Sequence, residues 1–361
     1  MRPEAIFQSA VELVDLIELT DKPANDIINT YTRARRYIGS KDRRALTDLV
    51  WGYIRHRRRL AFLAPTASTA ERLGLLQSGV AESIPNAPLA VNMEVPDWLP
   101  PLIPNAESEL PALLDSAPTV LRANGNRDQI RAELTRAGLK TEPTKHSPYG
   151  LILNGRTNLQ ALPCYRDGRL EIQDEGSQLI ALETGIRPGD SVLDYCAGAG
   201  GKSLIFAQMM QDQGLIIAHD SIRSRLRELK HRATRAHLKC IQIPDSIPDL
   251  LFDHVVTDVP CSGTGTWRRT PDMRWKLTQS RLSDLVKVQS EIFDSGVRFV
   301  RPGGFISYMT CSLLCPENED QIHSFLRRHP MLRLIRTKRF SPATTKTDGF
   351  FVAVFQNGSE S

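Results

Sequence analysis

From residue 191 to residue 355 the chain alternates short apolar, β-forming runs with stretches of helical period, and this alternation narrows the possible folds more than any other feature. Strands are expected at 191–195, 215–219, 239–243, 253–258, 304–310, 331–336 and 349–355, with helices over 201–212, 222–237, 280–300 and 317–328. Such a succession folds into a mostly parallel sheet with helices on both faces, and ligands of open α/β sheets bind at the carboxyl ends of the strands. Two of those ends carry a thiol. Asp258-Val-Pro-Cys261-Ser and Tyr308-Met-Thr-Cys311-Ser, fifty residues apart, each close an apolar run, so both sulfurs are expected to face one cleft.

The chain upstream reads differently. Residues 4–75 keep a helical period, as in Ile6, Ala10, Leu13, Leu16 and Ile17, then Leu46, Leu49, Val50 and Ile54. Ser40-Lys-Asp reads as a helix start, with Asp42 near the positive end of the helix dipole. Eight prolines between Pro85 and Pro118 exclude long helices and predict a linker draped over a surface. Residues 119–170 read as a small α+β piece, with strands at 120–124 and 151–153 around a helix over 127–137. The expected division is therefore a helical region with its proline-rich linker (1–118), a connecting subdomain (119–170) and the α/β domain (171–361).

Composition removes several classes of function. No run approaches ~18 apolar residues, so no membrane partner is expected. The N-terminus lacks the basic-then-apolar layout of a signal peptide. Six cysteines without a disulfide-scaffold rhythm predict reduced thiols in a cytoplasmic protein, with Cys164 and Cys240 as core residues. Cys311 and Cys315 form a C-x3-C pair, but with no second ligand pair nearby no metal is expected. Charge is unevenly placed: residues 31–60 hold ten Lys or Arg against two Asp, while 61–118 hold seven acidic residues against Arg72 alone. That asymmetry predicts a polyanionic partner, with Arg57-Arg58-Arg59 in its footprint. A solvated helix face would read the same way. A second basic stretch, Arg223 to Lys239, carries seven Lys or Arg against Glu228.

Val192-Leu-Asp-Tyr-Cys196-Ala-Gly-Ala-Gly-Gly-Lys202 runs from a strand into a glycine-rich turn, where backbone approaches a ligand closely. A Walker A loop ending at Gly201-Lys-Ser would need glycine at Cys196, and the dinucleotide fingerprint begun at Gly198 would need glycine at Ser203. The looser turn of an S-adenosylmethionine site remains. Its expected contacts are Cys196, Ala197, Gly198, Ala199, Gly200, Gly201 and Lys202, with Asp220 on the ribose, Asp245 on the adenine and Asp258 beside them.

Thiols beside such a pocket suit methyl transfer to a pyrimidine. Cytosine C5 is a poor nucleophile until a thiolate adds to C6, and covalent catalysis of this kind divides one hard step into easier ones. A second thiol then serves release, and a carboxyl at the N3 and amino edge, here Asp258, offsets developing charge. Lys202 is a candidate cationic neighbour for the reactive thiol.

At these residues the chain resembles the RsmB/Nop/Sun family of RNA cytosine-C5 methyltransferases. The resemblance runs from Gln173-Asp-Glu-Gly-Ser through Asp348-Gly-Phe-Phe351. Its marks are the loop at 194–202, Asp258-Val-Pro-Cys-Ser-Gly-Thr-Gly-Thr-Trp-Arg-Arg-Thr-Pro-Asp272 and Thr310-Cys-Ser-Leu-Leu-Cys-Pro-Glu-Asn-Glu319. It implies a Rossmann-like S-adenosylmethionine-dependent methyltransferase domain with a mostly parallel seven-stranded sheet. It also implies that Cys311 attacks and Cys261 assists release. Gly198-Ala199 stands where the family usually has Ala-Pro. Ser40 to Arg55 is similar to the NusB-like RNA-binding helices attached to bacterial members, which implies an RNA substrate, ribosomal RNA above all. Methylation of transfer RNA and a non-catalytic RNA-binding role in ribosome assembly remain open from the residues alone.

Overall fold

The computed structural model describes residues 1–79, 84–155 and 157–358, which form two compact units. The first comprises Met1–Ser116 together with Trp267–Gln279. It is built on α1 (Pro3–Glu18), α2 (Ala24–Ala34), α3 (Ser40–Leu63) and α4 (Thr69–Ser78). Ala10, Leu13, Val14 and Ile17 form one stripe of α1 and pack with Leu46, Val50, Tyr53 and Ile54 of α3. This is the i, i+3, i+4, i+7 spacing of an amphipathic helix. A capping box between Ser68 and Glu71 starts α4.

The proline-rich stretch is not draped over a surface. Val91, Val95, Leu99, Ile103, Leu110 and Leu113 are buried, and the short helices Leu89–Asn92 and Ala106–Ala112 break it into compact turns. Glu94, fully buried, accepts from Arg59 Nε at 2.9 Å and from the Arg58 amide at 2.8 Å. Proline spacing reported short elements correctly but carried no information on which side chains between the prolines face inward.

The same pairs revise the polyanion footprint. Arg57 binds Glu18 at 2.7 Å and lies over the Trp275 ring, Arg58 binds Asp97, and Arg59 is buried against Glu94. These three guanidiniums hold the unit together, because the acidic block at 61–118 supplies partners for part of the basic block. Exposed cations remain on α2, on the turn after it and at the start of α3, at Arg33, Arg36, Lys41 and Arg44.

The second unit comprises Ala117–Thr266 and Ser280–Ser361, so residues 117–170 fold in the same body as the large sheet. It opens with an antiparallel sheet of β1 (Thr119–Ala123), β2 (Lys140–Pro143), β3 (Gly150–Asn154) and β4 (Leu170–Ile172), ordered β2-β3-β1-β4. Sequence reading missed β2 and β4, which have few of the β-branched or aromatic residues that mark strands.

The large sheet contains β5 (Ser191–Asp194), β6 (Leu215–Ala218), β7 (Ile241–Gln242), β8 (Phe252–Asp258), β9 (Val300–Thr310), β10 (Leu332–Phe340) and β11 (Phe350–Asn357). Its order is β10-β11-β9-β8-β5-β6-β7, with β5 to β9 parallel and β11 antiparallel to both neighbours. Both faces are buried: Val192, Ile216 and Val256 join one core, Leu193, Ile217 and Val255 the other. The expected α/β class and parallel sheet are observed. The parallel register brings the ends of β5, β6, β8 and β9 to one edge.

Candidate active site

At that edge lies a cleft of about 460 Å³, lined among others by Cys196, Gly198, Asp220, Asp258, Cys261 and Cys311. Its volume lies within the ~300–1,000 Å³ of small-molecule sites. Gly198 and Gly200 take positive φ, +54° and +85°, and a Cβ on Gly200 would meet Leu229 Cδ1 at 2.2 Å. No other residue fits that turn without displacing the helix behind it. The turn delivers the chain into the helix Gly201–Met209. Ala197 donates to His219 O, the Ala199 carbonyl accepts from Arg232, and Gly201 O accepts from Gln173, so these three shape the loop.

Asp220, at the end of β6, accepts from the Gly198 amide at 2.9 Å and from the Ile222 amide at 2.8 Å, fixing the loop's approach to the cleft. Asp245 does not join it. Its side chain is fully exposed and bound to Arg223 at 2.7 Å, with the Arg223 guanidinium also on its carbonyl. The preceding strand β7 is two residues long at the sheet's edge, so the chain turns to solvent sooner than a full strand would allow.

Three carboxylates surround the loop. Asp194 is fully buried, accepts from Ser203 Oγ at 2.6 Å, and leaves Oδ1 unpartnered. Burial, with smaller contributions from Asp258 and Asp220, pushes its carboxyl up to about 7. Burial and the charges of Asp194, Asp258 and Asp220 also push the Cys196 thiol up, so this sulfur stays protonated. A phosphate would be repelled here. A cationic ligand such as a sulfonium is favoured, and the residues present fit S-adenosylmethionine on that ground.

Lys202 is not placed against a thiol. Its Nζ donates to Asp258 Oδ2 at 3.1 Å and to Ser177 Oγ at 2.9 Å, leaving Asp258 Oδ1 without a hydrogen bond among the described residues. Lys202 therefore orients the carboxylate that the sequence marked for the base edge. Ser177 and Gln173, which share this corner, were not foreseen.

The two thiols meet. Cys261 Sγ and Cys311 Sγ are 3.3 Å apart, and the Cys311 amide also points at Cys261 Sγ at 3.3 Å. The Cys311 contact first, then burial and the nearby Glu317 charge, hold the Cys261 thiol well above the usual range. The amide favours an electron-rich sulfur at Cys261, but these larger effects outweigh it. Either sulfur can be the donor in the contact between them.

Sequence reasoning also missed the group that holds the thiols together. Glu317, fully buried, accepts from Ser262 N at 2.8 Å, from Gln289 Nε2 at 2.9 Å, from Ser312 Oγ at 2.5 Å and from Ser262 Oγ. Ser262 follows Cys261 and Ser312 follows Cys311, so one carboxylate clamps both loops. The available signal was an acidic residue in a short 3-10 turn six positions after a reactive cysteine.

Among the described residues no cluster of His, Cys, Asp or Glu could hold a metal ion, and no helix is long and apolar enough to cross a membrane.

Comparison with known proteins places the cleft in a matched stretch of the chain. Residues 181–356 match the family described as 16S rRNA methyltransferase RsmB/F. The probable ribosomal RNA small subunit methyltransferase B of Synechocystis sp. is 35% identical over 252 residues, covering 65% of this chain and 56% of that protein. The ribosomal RNA small subunit methyltransferase B of Vibrio cholerae is 29% identical over 280 residues, covering 72% and 64%. The chain thus spans less than two thirds of the length of these relatives. Among solved structures, the protein PH0851 superposes with a TM-score of 0.83 at 21% identity over 99% of either chain. NSun6 from Pyrococcus horikoshii does so at 0.64 and 18%, over 71% of this chain and 95% of that one. Those two likenesses concern the fold. The matched stretch, residues 181–356, is the part of the chain that carries the glycine-rich loop and the paired thiols, and it is similar to the RsmB/F methyltransferases.

Proposed function

We propose that the protein is an S-adenosylmethionine-dependent methyltransferase that forms 5-methylcytosine in ribosomal RNA through a covalent Cys311 adduct. The observation that carries this reading is the pair of thiols 3.3 Å apart in the cleft that also holds Gly198 and Asp220. The names of the relatives above support ribosomal RNA as the substrate.

Gly198, Asp220 and the loop around them hold S-adenosylmethionine, which when bound supplies an electrophilic methyl group. The target cytosine is unstacked into the cleft, since a thiol cannot reach C6 inside a helix. Cys311 gives its proton to solvent, adds through Sγ to C6 and makes C5 nucleophilic enough to take the methyl group. Asp258, steadied by Lys202, accepts from the amino edge and offsets the charge that moves into the ring. Once Cys311 is bonded to carbon the sulfur–sulfur contact is lost, and Cys261 in turn gives its proton to solvent. The Cys261 thiolate, being unfavourable in this setting, is a strong base. It takes the C5 proton as the bond from C6 to Cys311 breaks, and Cys311, leaving as a thiolate, regains a proton from solvent, which restores the resting thiol pair.

The test separates the sulfurs. Each variant is incubated with substrate RNA and S-adenosylmethionine and run on a denaturing gel. Cys261→Ala should attack, methylate once and accumulate a denaturant-resistant protein–RNA complex. Cys311→Ala should show neither turnover nor complex, and Asp258→Ala should lose attack as well. A complex with Cys311→Ala and none with Cys261→Ala would reverse the roles. Bisulfite sequencing of the methylated RNA reads the base.

A further inference from the structure

We infer that the RNA strand flanking the target base leaves the catalytic cleft across Arg225 and lies in a second groove at the β7 edge of the sheet. This groove, of about 700 Å³, is lined by Arg223 with its partner Asp245, and by Arg227 and Lys230, over an apolar floor of Leu238, Ile241 and Ile243. The inference rests on the reading of the protein as an RNA methyltransferase and adds a phosphate-binding track to it.

The helix Leu226–Arg235 buries Leu226, Leu229 and Ala233 and turns its other face outward. Arg227, Lys230 and Thr234, spaced three and four apart, share that outer face and line the groove. The cations of this stretch divide into two sets. Arg232 and Arg235 are spent on Glu171, and Arg223 on Asp245. Arg225, Arg227 and Lys230 are without a carboxylate partner among the described residues, and Arg227 and Lys230 are exposed. Arg225 lines the catalytic cleft, while Arg223 and Arg227, two residues to either side, line the groove. Cleft and groove are thus joined by five residues of chain. A strand whose base is in the cleft finds its next phosphates at this rim, and the apolar floor suits the faces of riboses and bases. Charge and continuity with the cleft favour RNA over an acidic peptide.

The test uses the full chain with Arg227→Gln and Lys230→Gln combined, and an RNA containing the target site. Two lost phosphate contacts should flatten the slope of log affinity against log salt by about 1.4, at ~0.7 per contact with a single strand. The KM for RNA should rise while calorimetric affinity for S-adenosylmethionine stays unchanged, which reports an intact fold. An unaltered slope and KM would overturn the inference. So would a variant that loses binding of a polyglutamate peptide but keeps that of RNA, since the groove would then be a peptide site. If the wild-type protein neither binds nor methylates the RNA, it is the enzymatic reading that fails.

Discussion

Replacing Glu317 tests whether one buried carboxylate sets the thiol pair. Its four donors do not respond alike. The Ser262 and Ser312 hydroxyls can turn toward each other or toward Thr264, which lie 3.1–3.4 Å apart, and Gln289 Nε2 keeps its bond to Pro260 O at 3.0 Å, but the Ser262 amide loses its acceptor. Glu317→Ala therefore orphans the Ser262 amide, at a cost of ~1–3 kcal/mol. Glu317→Gln keeps one acceptor oxygen and the shape. Bonds to a neutral acceptor are weaker by ~1 kcal/mol each, but the desolvation of a buried charge is removed, so the net change should stay within about 2 kcal/mol. The informative effect is electrical. The Glu317 charge helps to hold the Cys261 thiol up, so its removal lets Cys261 ionise at lower pH. Alkylation of Cys261, followed by mass spectrometry across pH, should begin earlier in Glu317→Gln than in the wild type. The weaker base should also release product more slowly, so trapped RNA should rise at steady state. An alkylation profile and a trapped fraction that both match the wild type would refute the clamp.

Three further predictions concern the cofactor loop. Asp194 is raised to about 7, so it takes up a proton as pH falls through that value and the loop loses one negative charge; S-adenosylmethionine affinity, measured by calorimetry, should weaken over that window and Asp194→Asn should flatten the dependence. By the same shift, ionising Asp194 costs the folded state, so the wild type should lose stability as pH rises from the ordinary carboxylate range to about 7, and a melting series in which the Asn variant shows the same loss would contradict this. Asp220→Asn should weaken S-adenosylmethionine binding by about 1–3 kcal/mol through lost ribose and loop contacts, and unchanged affinity in the folded variant would dismiss the assignment.

The residues legible in the sequence are those whose position follows from strand direction alone. Asp220, Asp258, Cys261 and Cys311 each follow a β-forming run, and a parallel sheet sends the ends of such runs to one edge. Asp245 obeyed the same rule on paper and failed because β7 ends after two residues, a local loss of pairing that periodicity does not report. Arg57, Arg58 and Arg59 looked like a polyanion site because linear charge counts ignore partners. Glu18, Asp97 and Glu94, 35 to 39 residues away in sequence, neutralise them in space. Lys202 was placed near a thiol on proximity to the loop, whereas the helix beginning at Gly201 carries its ammonium to Asp258.

Glu317 was illegible for a different reason, and it bears on how the thiols come to touch. Neighbouring strands lie ~4.8 Å apart, and the register pairs Asp258 of β8 with Met309 of β9. Cys261 and Cys311 lie three and two residues beyond that pair, past the end of the ladder, where strand spacing no longer fixes their separation. Their sulfurs nevertheless stand 3.3 Å apart. The two loops have to be drawn together by something outside the sheet, and Glu317 grips the serine that follows each cysteine. The sheet brings the thiols to one edge; the carboxylate brings them within reach of one proton.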